Sequence, residues 1–175
     1  MKKRILFYSD CPFFAGCENM LANLFNDDGF MEKYDVSFVY RYSAVYESGF
    51  RKRVKRTFRV LPIKLLDLDG VYSAVPRDRY LLHMCMAGFS HLVLKHVFIL
   101  WNTIKLTLLF RRESVHLLHI NNGGYPGAYS CAAAVIAARL AGIRRIVYVV
   151  NNIALPYWPP WRWIDLFYDR IVFAS

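Results

Sequence analysis

Three short stretches of this 175-residue chain carry groups suited to holding a polar ligand. The first runs Pro12-Phe13-Phe14-Ala15-Gly16-Cys17-Glu18, a small-residue loop leading into a helix start. Such a loop offers backbone N–H groups and a positive helix end to an anion, which is phosphate-type chemistry. Glu18 falls in the first helical turn, where a carboxylate complements the helix dipole whatever its other role. The second stretch is His119-Ile120-Asn121-Asn122-Gly123-Gly124 and the third is Asn151-Asn152. Asparagine amides both donate and accept, which suits sugar hydroxyls, and asparagine also forms turns in left-handed geometry. His119 reads equally as a ligand contact and as a satisfied histidine at a strand end, and Asp10 as a cap or a ligand-facing carboxylate. No residue is assigned a catalytic role.

These groups need a frame. Arg4 to Tyr8 is an apolar run bounded by turn residues, the pattern of a buried strand in a parallel sheet. A helix carrying the doublets Met20-Leu21 and Leu24-Phe25 follows, stopped at Asp27-Asp28-Gly29. Val36–Tyr40 and Phe58–Pro62 read as the second and third strands, with a basic helix from Tyr46 to Arg56 between them. Asp67 to Arg79 reads as loop, and Tyr80 to Phe110 as a strongly apolar crossover helix. Val115–Ile120 is the fourth strand, its asparagines forming the turn after it. Ser130–Leu140 is an alanine-rich helix ended by Gly142, Arg145–Val150 the fifth strand, and Asp169–Ala174 a sixth. The expectation is one α/β domain over residues 1–175: a doubly wound, mainly parallel, six-stranded Rossmann-like sheet of order 3-2-1-4-5-6. In that order the ligand crevice lies outside the carboxyl ends of strands one and four, which would gather all three stretches on one rim.

Composition narrows the partners. A net charge of +10 calls for an acidic one. Nucleic acid is disfavoured, because no helix-turn-helix, RNP or zinc pattern is present and the aromatics do not interleave with the basic run. An anionic membrane surface fits Arg51, Lys52, Arg53, Lys55 and Arg56, at about 1 kcal/mol per basic residue near the surface. Trp158, Trp161 and Trp163 suit an interface or the cover of a sheet edge. Lys95 and Lys105 interrupt the apolar run Leu92–Phe110, favouring a helix packed on the sheet over one spanning a bilayer; a helix resting on a membrane is the second choice. The four cysteines, Cys11, Cys17, Cys85 and Cys131, show no C-x-x-C pair, which argues against zinc and against a disulfide framework and fits a reducing cytoplasm. The basic start and short apolar run Ile5–Tyr8 do not make a signal peptide. A G-x-G-x-x-G dinucleotide fingerprint is not met, and Arg41 stands where an acid would hold a ribose.

The order of these motifs resembles the amino-terminal lobe of the family 4 glycosyltransferases, the retaining enzymes of GT-B architecture. Pro12-x-x-Ala15-Gly16-x-Glu18 is similar to that family's G-G-x-E loop, and His119-Ile120-Asn121 to its H-x-H/N at the end of the fourth strand. Val149-Val150-Asn151-Asn152 falls where many members have T-x-H-N, and Asp169–Val172 with Ser175 is similar to the last strand of the lobe. The resemblance implies transfer of a sugar from a nucleotide-sugar to a saccharide acceptor, often lipid-linked. It implies no cofactor, the nucleotide-sugar being a substrate bound mainly by a second, carboxyl-terminal lobe with an E-x7-E pattern. That lobe is absent from this sequence, so the chain alone is expected not to turn over. The resemblance assigns acceptor or donor-phosphate contact to Phe14, Ala15, Gly16, Glu18, His119, Asn121, Asn122, Gly123, Asn151 and Asn152. Two departures are Ala15 for the first glycine, where a positive φ is less comfortable, and Asn151 for a histidine, which hydrogen-bonds but shuttles no proton. The implied place is the cytoplasm, peripheral at the inner face of the membrane. Two further readings are a non-catalytic Rossmann-like module for a phosphate or sugar, and a basic membrane-surface protein.

Overall fold

The computed structural model describes residues 2–11, 13–14, 16–68, 70–71, 80–122, 129–151 and 162–173. Its centre is β1 (Lys3–Ser9), paired in parallel with β2 (Tyr34–Arg41) on one side and β4 (Leu117–Asn122) on the other. β3 (Arg59–Ile63) lies outside β2 and β5 (Arg145–Val150) outside β4, giving a five-stranded parallel Rossmann-like sheet of order 3-2-1-4-5. The chain starts in the middle, winds outward to β3, then crosses back to the far side of β1. Right-handed crossovers in that order put the early helices on one face of the sheet and the later ones on the other.

Side chains of β1 alternate between two cores. Ile5 and Phe7 face α1 (Gly16–Asn26), α2 (Asp28–Lys33) and α3 (Ala44–Arg53), packing with Phe25, Phe38, Tyr46 and Phe50. Leu6 and Tyr8 face α4 (Tyr80–Glu113) and α5 (Tyr129–Leu140), with Leu106, Phe110, Leu118 and the buried alanines of α5. Burial on both faces is why β1 reads as a continuous apolar run. The alanines let α5 lie close to α4. Just past the end of α5, Gly142, with a φ of +82°, closes the last turn in a conformation that side chains disfavour.

Local signals explain most helix boundaries. Asp27 both ends α1 and starts α2, its carboxylate accepting from the Phe30 amide at 2.6 Å. Ser43 caps α3 by accepting from the Tyr46 amide at 3.0 Å. The basic helix therefore begins at Ala44 and ends at Arg53, which leaves Lys55 and Arg56 beyond it. α4 is one continuous helix of 34 residues with a π turn at Ser90–Leu94. It is long and apolar enough to cross a membrane, and a third of its apolar window is buried against the domain.

Two expectations need correction. The sixth strand is a helix: Asp169 to Phe173 belongs to α6 (Arg162–Phe173), which packs on α5 and adds Val172 to the core. Ile171-Val172-Phe173 has strand composition, but Asp165, Tyr168 and Val172 repeat at helical spacing and turn one side inward. Arg139 of α5 fixes the far end of α6 by donating to the carbonyls of Ile171 at 2.5 Å and Val172 at 3.4 Å. β4 is also shifted: it begins at Leu117 and runs through Asn122, so Asn121 and Asn122 are strand residues, not a turn. Their backbone continues the ladder opposite Val149 and Val150 of β5.

Candidate functional site

Strand order reverses between β1 and β4, and outside their carboxyl ends, with β5 next to β4, is the place where open α/β sheets hold ligands. Ser9, Asn121 and Val149 stand side by side across the three strands. Asn121 is almost wholly buried. Its amide nitrogen approaches Glu18 Oε1 at 3.5 Å, and its carbonyl oxygen accepts from the Asn151 amide at 2.8 Å. Ser9 donates to the same Glu18 oxygen at 3.1 Å. Glu18, in the first turn of α1 and fully buried, thus links the first stretch to the second, and Asn121 links the second to the third. The three stretches do share one rim.

A second polar chain occupies the other face of the same edge. Tyr8 Oη pairs with the Ser130 hydroxyl at the start of α5, and Ser130 donates to Asp10 Oδ2. Arg41, the last residue of β2, donates from Nε to Asp10 Oδ1 and from Nη1 to Asp67 Oδ2. Burial pushes the Asp10 carboxyl above its ordinary value, against the pull of the Arg41 charge. Burial also pushes the Tyr8 hydroxyl well up, reinforced by the Asp10 charge. The sequence singled out Asp10 as a cap or a ligand-facing carboxylate and Arg41 as standing where an acid would hold a ribose, but not their pairing; Ser130, Asp67 and Tyr8 carried no signal of their own.

The expected residues divide by what they touch. Phe14 packs into α3, its ring 5.6 Å from that of Tyr46, and so anchors the loop. Gly49 of α3 makes room for it: a Cβ there would come within 2.4 Å of Phe14 Cβ. Gly16 faces open space, and its φ is not positive, so neither crowding nor a turn demands a glycine at that position. His119 lies two residues before Asn121 on the same strand face, its ring 4.8 Å from Phe7, and burial lowers its pKa. It sits beneath the rim, against Phe7. Ala15, Gly123 and Asn152 lie outside the described residues.

The thiols beside the loop are held neutral. Burial, with the Glu18 charge, pushes Cys11 up to about 11 and raises Cys17. All four cysteines are free, and no cluster of three His, Cys, Asp or Glu side chains occurs among the described residues.

The basic run lies on the α3 side. Arg51 pairs with Glu47 one turn back, Arg53 sits over the Phe14 ring at 5.8 Å, and Arg56 pairs with Asp28. A concavity of about 790 Å³ opens at the opposite, amino-terminal edge of the sheet. Its arginines, Arg4, Arg56 and Arg59, are paired with Asp35, Asp28 and Glu113, and Lys2 and Lys3 also line it.

No family profile and no curated protein matches the sequence. Among solved structures, the chain is similar to the carboxyl-terminal domain (residues 78–226) of the PF1911 hydrogenase from Pyrococcus furiosus. That likeness has 14% identity and a TM-score of 0.42 over 89% of this chain and 93% of the other.

Proposed function

We propose that this chain is the acceptor-side lobe of a glycosyltransferase of the GT-B, family 4 type, working at the cytoplasmic face of a membrane. Its substrates would be a nucleotide-sugar and a saccharide acceptor. The observation that supports this reading is the hydrogen-bonded line from Glu18 through Asn121 to Asn151 at the switch point of the sheet. In that line Asn121 is a positioning residue, since both ends of its amide are engaged inside the protein. Asn151, half-buried at the rim, is the residue that would meet a hydroxyl in this reading. Gly16 leaves the backbone at the head of α1 open to a diphosphate. The donor's nucleotide would be held chiefly by a second lobe, so this chain alone binds saccharide without transferring it.

Saturation-transfer NMR against oligosaccharides and nucleotide-sugars tests the reading. Sugar protons should show contact with the wild-type chain and lose most of it in Asn151→Ala, with an unchanged melting curve. Spectra that are blank, or identical for the two proteins, would sink it. Product formation by the purified chain would overturn the need for a second lobe.

A further inference from the structure

The α4 helix is built inside out. Every exposed residue from Tyr80 to Leu108 is apolar or aromatic apart from the Cys85 thiol, and none carries a charge. Leu81, Phe89, Leu92, Val97, Leu100 and Ile104 recur along one side at helical spacing, Leu100 being 63% exposed. Five polar residues of the same helix point the other way: Ser90, Lys95, Asn102, Thr103 and Thr107 are buried, while Lys105 is half-buried with its ammonium 5.6 Å from the exposed Trp101 ring. Asn102 bonds the Leu66 backbone in both directions at 2.8 and 3.0 Å, and Lys95 is paired with Asp165 of α6. A helix facing water has the reverse pattern. At 1.5 Å per residue the helix is about 50 Å long, so the stripe exceeds the apolar patch of an ordinary soluble surface.

α6 adds to the same flank. It is joined to α4 through Lys95–Asp165 and through His96 Nδ1 with Tyr168 Oη at 2.6 Å. Its outer side carries Trp163, 81% exposed, and Phe167. Among the described residues, the exposed charges on α4 and α6 are Arg111, Arg112, Arg162 and Arg170, all positive. The acids of these helices, Glu113, Asp165 and Asp169, are half-buried, Glu113 paired with Arg59 and Asp165 with Lys95.

We infer that the outer face of α4, extended by α6, lies in the interfacial layer of an anionic bilayer. Ile99, Leu106 and Phe110 hold the other side of α4 in the core, so the helix rests in the membrane surface and does not span it. The occupant follows from charge: aliphatic groups and tryptophans flanked only by exposed arginines match acyl chains beneath negative headgroups. This is a different surface from the α3 basic run, which belongs to the opposite layer of the sheet.

Flotation of the whole chain with vesicles tests the inference without any saccharide, so it stands or falls apart from the sugar-handling reading. Wild-type protein should float with phosphatidylcholine–phosphatidylglycerol vesicles. Leu100→Glu with Ile104→Glu should lower the partition at least ~tenfold, with circular dichroism unchanged. Leu100→Ser with Ile104→Ser is the gentler pair if the glutamates disturb folding, and should act in the same direction. Arg111→Gln with Arg112→Gln should weaken binding to these vesicles more than to phosphatidylcholine alone. Failure of folded wild-type protein to float, or flotation of both Leu100/Ile104 variant pairs equal to that of wild type, would overturn it. So would a lipid-free dimer that the glutamate pair converts to a monomer, which would mean that a second copy covers the face.

Discussion

Two glycines near the rim make opposite predictions. Gly16 has open space where a Cβ would go, so Gly16→Ala should leave the unfolding free energy from urea titration within about 0.5 kcal/mol of wild type. Any loss of nucleotide-sugar contact in that variant then reports on the ligand and not on the fold. Gly49→Ala drives a methyl into Phe14 and should cost about 1–3 kcal/mol in the same denaturation experiment, with the loop displaced. A third effect concerns pH. Burial lowers the pKa of His119, so between that value and 6.5 the folded state holds fewer protons than the unfolded state. Stability therefore rises with pH through that window and falls on acidification below about 6.5. His91 and His96 are lowered as well and act in the same sense. Asp10 has the opposite sign: its raised pKa keeps the proton longer in the folded state and softens the acid loss. Urea midpoints at neutral and mildly acid pH should show the fall, and His119→Gln should show less of it.

At the scale of elements, strands buried on both faces were legible because their apolar runs were short and bounded by breakers. The order of the sheet followed from alternation with helices and right-handed winding. The last element was misread because Asp169 to Phe173 has strand composition, and the helical repeat of Asp165, Tyr168 and Val172 begins upstream of it. The asparagines of β4 were read as a turn since their type favours one, yet register with β5 holds them extended. Nor was the engagement of Asn121 visible in sequence, because Glu18 lies 103 residues away. The α6 helix itself offers a test. Arg139→Ala removes the donors to its final carbonyls, so amide exchange across Arg162–Phe173 should quicken while that of β1 stays unchanged.

Taken whole, the protein has two unlike flanks around one sheet. The α1–α3 side carries charge paired with charge, Arg51 with Glu47 and Arg56 with Asp28. The α4–α6 side carries grease edged with arginine. Composition showed the excess of both basic and apolar residues but not their separation, since that depends on which helices the crossovers place together.

The direction of α4 has a consequence for traffic. Arg59, at the start of β3, pairs with Glu113 at the end of α4, so this helix runs against the strands and its first residue stands toward the rim. With that flank on lipid, as inferred above, the strands would run along the membrane plane and the rim that carries Asn151 would face sideways. Under the proposed function, a lipid-tethered acceptor would then reach that rim by gliding within its own leaflet, without being lifted into water.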